Sequence, residues 1–166
     1  MDKEVIIKMR EAIKNNDLEY ISNAIDEDAN LITAITFWGT WLHDAATYGM
    51  IDVAKLLIEK GADVNQKGGA SNAGAVTEAA FFGFKNIVEL LYTNGAIWDV
   101  STFSANPLFA AISKGHIDIA EYLIANGIDL NASYDVGSLH NVDAYEYARE
   151  YGQTEIAELI KNNKNK

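Results

Sequence analysis

Residues 40–65 read TWLHDAATYGMIDVAKLLIEKGADVN, and the pattern in that stretch returns down the chain. Residues 74–99 read GAVTEAAFFGFKNIVELLYTNGAIWD, and residues 106–131 read NPLFAAISKGHIDIAEYLIANGIDLN. From residue 143 the run DAYEYAREYGQTEIAELIKNN follows the same template. Gly49, Gly83, Gly115 and Gly152 correspond, at spacings of 34, 32 and 37, while Gly61, Gly95 and Gly127 correspond at 34 and 32. A period of this length is the signature of stacked supersecondary units, each too small to bury its apolar face alone. Upstream, EAIKNNDLEYISNAIDEDANL fits a degenerate first unit, with Asn16 where the first glycine would stand.

The residues within each unit specify two helices. Ala45 and Ala46, like Ala79 and Ala80, make a first helix whose small side chains let neighbouring helices approach closely. The second helix carries an apolar stripe at helical spacing, as in Ile87, Leu90, Leu91 and in Ile156, Leu159, Ile160. Asn106 suits an N-cap, with Pro107 at the first helical position, where its missing N–H costs nothing. Gly61, Gly95 and Gly127 fall just past the second helix, where a left-handed C-cap favours glycine.

Thr40, Leu42, His43, Ala45, Ala46, Gly49, Leu56, Leu57 and the run Gly61-Ala62-Asp63-Val64-Asn65 carry a resemblance to the ankyrin repeat. Unit four adds Asn106-Pro107-Leu108, Gly115-His116 and Gly127-Ile128-Asp129-Leu130-Asn131. The resemblance implies an all-α solenoid of five helix-turn-helix units, over residues 3–34, 35–68, 69–100, 101–134 and 135–166, the outer two acting as caps. It also implies a structural role for His43, bonding backbone across the turn, and for His116. Departures stand out: Trp41 replaces the usual proline, Thr77 and Phe109 replace the histidine, and Gly74 replaces the capping threonine. The segment 132–142 is expected to be the longest loop between full units, since Gly127 and Asp143 lie 16 apart.

Composition narrows the function. Of 166 residues, 49% are apolar and 22% charged, as in a folded soluble domain. Thirteen Lys and Arg against 24 Asp and Glu leave a net charge of −11, which disfavours nucleic acid and anionic membrane as partners. Without cysteine there is no disulfide, thiolate metal site or Cys nucleophile. No apolar run reaches membrane-spanning length and the N-terminal residues lack a secretory apolar core, so a cytoplasmic protein is expected. His43-Asp44 is the nearest approach to a catalytic pair, but no G-x-S-x-G elbow accompanies it, which leaves hydrolysis a remote alternative. The three histidines, His43, His116 and His140, share no ligand spacing, and Asp26-Glu27-Asp28 lacks that of a calcium loop. No metal and no cofactor are expected.

The aromatic residues point to binding. In the ankyrin family partners meet the turn tips and the two residues before the first glycine. Carried onto this chain, those positions give Tyr48, Phe81, Phe82, Lys114 and Tyr151, with Phe37, Trp38, Trp41, Phe103, Tyr134 and His140 from the turns and their flanks. Aromatic side chains are the usual anchors of protein interfaces. Phe82 and Trp41 have the alternative of packing between repeats, and Trp98, at the position of Val64, reads as core. Between Lys14 and Lys55 there are seven acids and no base, so the acidic surface, with Asp44 and Glu150 on its rim, suits a basic protein partner. The expected function is a non-enzymatic protein-binding module, monomeric when free, of inhibitor or immunity type. A scaffold or adaptor, or a host-directed effector, is the alternative.

Overall fold

The computed structural model describes residues 2–164. Ten helices form five antiparallel pairs in chain order. The pairs are α1 (Lys3–Lys14) with α2 (Leu18–Glu27), α3 (Trp41–Tyr48) with α4 (Ile51–Glu59), and α5 (Ala75–Phe82) with α6 (Lys85–Thr93). Then follow α7 (Pro107–Lys114) with α8 (Ile117–Ala125), and α9 (Ala144–Glu150) with α10 (Thr154–Lys164). A 3₁₀ turn spans Ala29–Thr33. None of the helices among the described residues is long and apolar enough to cross a membrane.

Each stripe lies where its spacing puts it. Val53, Ala54 and Leu57, then Ile87, Val88 and Leu91, then Ile119, Ala120 and Leu123, then Ile156, Ala157 and Ile160 are all buried. Leu90 and Leu159, expected in the stripe, pack on its edge and stay half-buried. The first helices meet through fully buried alanines, Ala45, Ala46, Ala79, Ala80, Ala111 and Ala148. Their mutual contact is more extensive than that between second helices, most of all among α3, α5 and α7. A stack tighter on one layer bows toward it, so the first helices line the inner face.

Polar bonds between units set the register. The Thr40 backbone N–H donates to His43 Nδ1 (3.1 Å), so the ring proton sits on Nε2, which donates to the Ala73 carbonyl of the next turn (2.9 Å). This is the structural role expected of His43. Thr77 occupies the same position one unit on, and its hydroxyl donates to the Ala105 carbonyl at 2.7 Å. A buried hydroxyl thus replaces the imidazole. Thr77→Val keeps the shape and orphans the carbonyl, so denaturant unfolding should show a loss of about 1–3 kcal/mol. Asn16 takes φ 54°, as its glycine-equivalent position requires. Asn106 caps α7 by accepting from the Leu108 N–H (2.9 Å), whereas Gly74 offers α5 no side-chain cap.

The expected long loop is a β-hairpin. β1 (Ser133–Val136) pairs antiparallel with β2 (Leu139–Asp143), so this helical solenoid carries one small two-stranded sheet among the described residues. Tyr134 stands opposite Val142 and Val136 opposite Leu139, with an irregularity in register between the two pairs, and the turn passes through Gly137, whose φ is 60°. Asp143 ends β2 and caps α9, accepting from the Glu146 N–H (2.9 Å), so the hairpin feeds directly into the last pair.

Candidate protein-binding groove

On the inner face a groove of about 550 Å³ runs across the last three helix pairs. Glu78 and Phe81 come from α5, and Ala110, Ser113 and Lys114 from α7. Tyr147 comes from α9 and Tyr151 from its end, while Ser71, Phe103 and Ser104 project from the turns and Val136 from the hairpin. Phe109 and Tyr147 form the floor, both buried and stacked at 4.9 Å between ring centroids. Phe103 packs edge-on against both, at 5.5 and 5.4 Å, and Tyr151 lies 4.3 Å from Tyr147. Burial, and secondarily the Tyr151 hydroxyl, pushes the Tyr147 phenol above its ordinary pKa, so it remains a neutral part of the floor.

The groove is aromatic but not uncharged. The Lys114 ammonium lies 4.5 Å over the Phe81 ring, a cation–π contact. Among the described residues neither Glu78 nor Lys114 has an ion-pair partner. The Ser71 hydroxyl oxygen is buried with no hydrogen-bond partner. Rings with unpaired charges beside them fit a protein surface, which brings both anchors and complementary charges.

Phe81, Phe103, Lys114 and Tyr151 are therefore brought together as the sequence suggested. Phe82 is exposed beside them, edge-on to Phe81 at 5.1 Å, but does not line the groove. Tyr134 stands behind the wall, donating its hydroxyl to the Val100 carbonyl (2.7 Å) and accepting from Asn106 Nδ2 (3.0 Å). His140 lies on the hairpin against Asp135, with 3.3 Å between Nδ1 and Oδ1, beside a separate small depression. Trp98 packs half-buried on Tyr92 and donates its indole N–H to the Asn126 carbonyl (3.0 Å).

Two expectations are overturned. Trp41 is 1% exposed, with its indole N–H on the Leu31 carbonyl at 2.7 Å, so it belongs to the core and not to a binding face. Asp44 is 2% exposed rather than on an acidic rim. Its Oδ1 accepts from Arg10 Nε (3.1 Å) and lies 3.0 Å from Nη2 in an ion pair, while Oδ2 is buried without a partner. Arg10 also donates to the Tyr48 hydroxyl (3.0 Å) and stacks 3.7 Å over Trp38, whereas Lys14 covers the Tyr48 ring at 4.8 Å. Tyr48 is thus taken up by α1, while Phe37 and Trp38 stay exposed at a turn tip, 79% and 50%. The groove residues missed from sequence include Phe109, Tyr147, Glu78, Val136 and Ser71. Helical spacing held a clue, because Glu78 and Tyr147 stand three and four residues before Phe81 and Tyr151 on the same helix face.

Desolvation outweighs the attraction of Arg10 and holds the Asp44 carboxyl above its ordinary pKa. A carboxyl raised on folding binds protons more tightly in the native state, so its contribution is most favourable below the unfolded pKa of 3.8 and fades as pH rises through the folded value. Asp44→Asn removes that dependence. Melting curves at successive pH values should shift in favour of the wild type, relative to the variant, as the solution is acidified from neutral toward pH 4.

Comparison with known proteins adds the family. The ankyrin-repeat model described as three copies matches residues 76–166, and the one described as many copies matches residues 42–91. The chain belongs to the ankyrin-repeat family. It is 36% identical over 92 residues to an ankyrin repeat and KH domain-containing protein of Caenorhabditis briggsae, covering 54% of this chain and 4% of that protein. With an ankyrin repeat protein of Rickettsia felis it shares 30% identity, over 75% of this chain and 59% of the other. With protein phosphatase 1 regulatory subunit 27 of Homo sapiens it shares 30% identity, over 76% and 62%. The chain thus spans a small part of the first relative and about 60% of the other two. Ankyrin repeats are protein–protein interaction modules, and the family is generally non-enzymatic.

Proposed function

We propose that the groove over the last three helix pairs docks a single protein partner with a basic surface, and that the chain works as an inhibitor-type binder that covers what the partner must expose. The carrying observation is the groove itself, where Phe81, Phe103 and Tyr151 stand over the Phe109–Tyr147 floor beside an unpaired Glu78. A partner's lysine or arginine facing Glu78, and an acid facing Lys114, would complete its charges. The net charge of −11 supports a basic partner, because complementary fields speed encounter. The human relative is by its name a regulatory subunit, which agrees with a chain that acts by binding another protein. A cytoplasmic, monomeric free state belongs to the same proposal.

Affinity capture from the native cell, read by mass spectrometry, tests the reading. One dominant basic protein at one-to-one stoichiometry is expected, and several unrelated partners would instead favour a scaffold. Stopped-flow association with the captured protein should slow steeply as salt rises, since screening acts over about 8–10 Å, with dissociation changing much less. An association rate indifferent to salt would reduce the acidic surface to a solubility device.

A further inference from the structure

An inner-face carboxylate of this chain already holds an arginine. Asp44 accepts from Arg10 Nε (3.1 Å), and the same guanidinium donates to the Tyr48 hydroxyl (3.0 Å) and stacks 3.7 Å over Trp38. Carboxylate, hydroxyl and aromatic ring together suit a planar cation with five N–H donors. Glu78 is the repeat equivalent of Asp44, since each stands five residues before its glycine, Gly83 and Gly49. It is half-buried on the groove wall and has no ion-pair or hydrogen-bond partner among the described residues. Neither neighbouring unit supplies its cation, because Asp44 holds the equivalent place on one side and Ala110 on the other. Lys114, which also lines the groove, stays over the Phe81 ring at 4.5 Å and makes no ion pair with Glu78.

The other two components recur as well. The Ser71 hydroxyl oxygen is buried in the same groove without a hydrogen-bond partner, and Phe81 and Phe103 supply the rings. We propose that an arginine of the docked protein enters the groove and does for Glu78 what Arg10 does for Asp44. Its guanidinium donates to the Glu78 carboxylate and to the Ser71 hydroxyl, and an aromatic wall covers its plane. The inference rests on the groove as the docking site and names the side chain the groove selects. Lysine is the poorer occupant, since its ammonium is more strongly hydrated and cannot both fork onto a carboxylate and lie flat on a ring.

The test uses the full chain and four blocked pentapeptides, Ala-Leu-X-Leu-Ala, in which X is arginine, citrulline, lysine or norleucine. Followed by amide NMR at millimolar concentration, the arginine peptide should give saturable shifts at Ser71, Glu78 and Phe81. Citrulline, which keeps the shape without the charge, and norleucine should bind roughly tenfold more weakly, and lysine about threefold to tenfold more weakly. Glu78→Gln should bring the arginine peptide down to the citrulline level and leave the citrulline peptide unchanged. Ser71→Ala should weaken the arginine peptide roughly threefold at an unchanged melting temperature, because the hydroxyl it removes bonds nothing in the free chain. Equal affinity of all four peptides at these residues would keep the groove and overturn the arginine anchor. No saturable shift from the arginine peptide would overturn the anchor too, and the groove itself falls only if the captured protein binds Phe81→Ala combined with Tyr151→Ala as tightly as the wild type.

Discussion

Replacing Trp41 by alanine should cost the protein about 3–5 kcal/mol, the truncation of a buried tryptophan. The ring is among the largest fully buried side chains, and its indole N–H is held by the Leu31 carbonyl of the 3₁₀ turn. It joins the first helix pair to the second, so its loss opens a cavity where the stack has no spare material. Trp41→Phe keeps most of the volume but gives up the hydrogen bond, and should cost only about 1–3 kcal/mol. Denaturant midpoints at unchanged slope measure both. Below the transition, both variants should still bind a groove partner with wild-type affinity, because Trp41 lines no part of that groove. Weakened binding without lost stability would return Trp41 to the interface.

The second large effect lies at Gly83. Its φ is +84°, a region costly for any L side chain, and an added Cβ would lie 2.6 Å from the His116 ring. That ring is not free to yield, since its Nε2 bonds the Phe81 carbonyl at 3.1 Å. Gly83→Ala should therefore cost about 2–5 kcal/mol, combining about 1–2 for the backbone with about 1–3 for displacing a packed ring. Gly95 supplies the control. Its φ is +93°, but an added Cβ would meet nothing within 4 Å, so Gly95→Ala should cost only about 1–2 kcal/mol. Thermal unfolding of the two variants side by side checks this. Equal losses would mean that the His116 contact carries no energy.

Much of this architecture is legible in the sequence, because its determinants are local. The recurring glycines, the alanine pairs and the Asn106-Pro107 cap each act within a few residues of themselves. The hairpin is less legible, since only Tyr134 and Val136 alternate, while Leu139 and Val142 stand three apart across an irregular register, too weak a pattern to outweigh the turn a repeat calls for there. Thr77 reads as a lost histidine, and only the position of the Ala105 carbonyl shows that its hydroxyl does the same work. The site is legible in part. Phe81, Phe103, Lys114 and Tyr151 follow from repeat position, whereas Trp38 and Trp41, three residues apart, fall on opposite sides of the surface for reasons no local pattern carries. The burial of Asp44 depends on Arg10, 34 residues away, and so does the covering of Tyr48.

Titration calorimetry of the captured partner, against the wild type and against Phe81→Ala combined with Tyr151→Ala, tests the groove most directly. Phe81 is half-buried and Tyr151 is 51% exposed, so the pair can be truncated without opening the core. Binding should weaken by about 2–4 kcal/mol, roughly thirtyfold to a thousandfold, as for two interface anchors, with the melting temperature nearly unchanged. Wild-type affinity in the double variant, with binding abolished instead by truncating Phe37 and Trp38, would place the interface at the turn tip and contradict the groove.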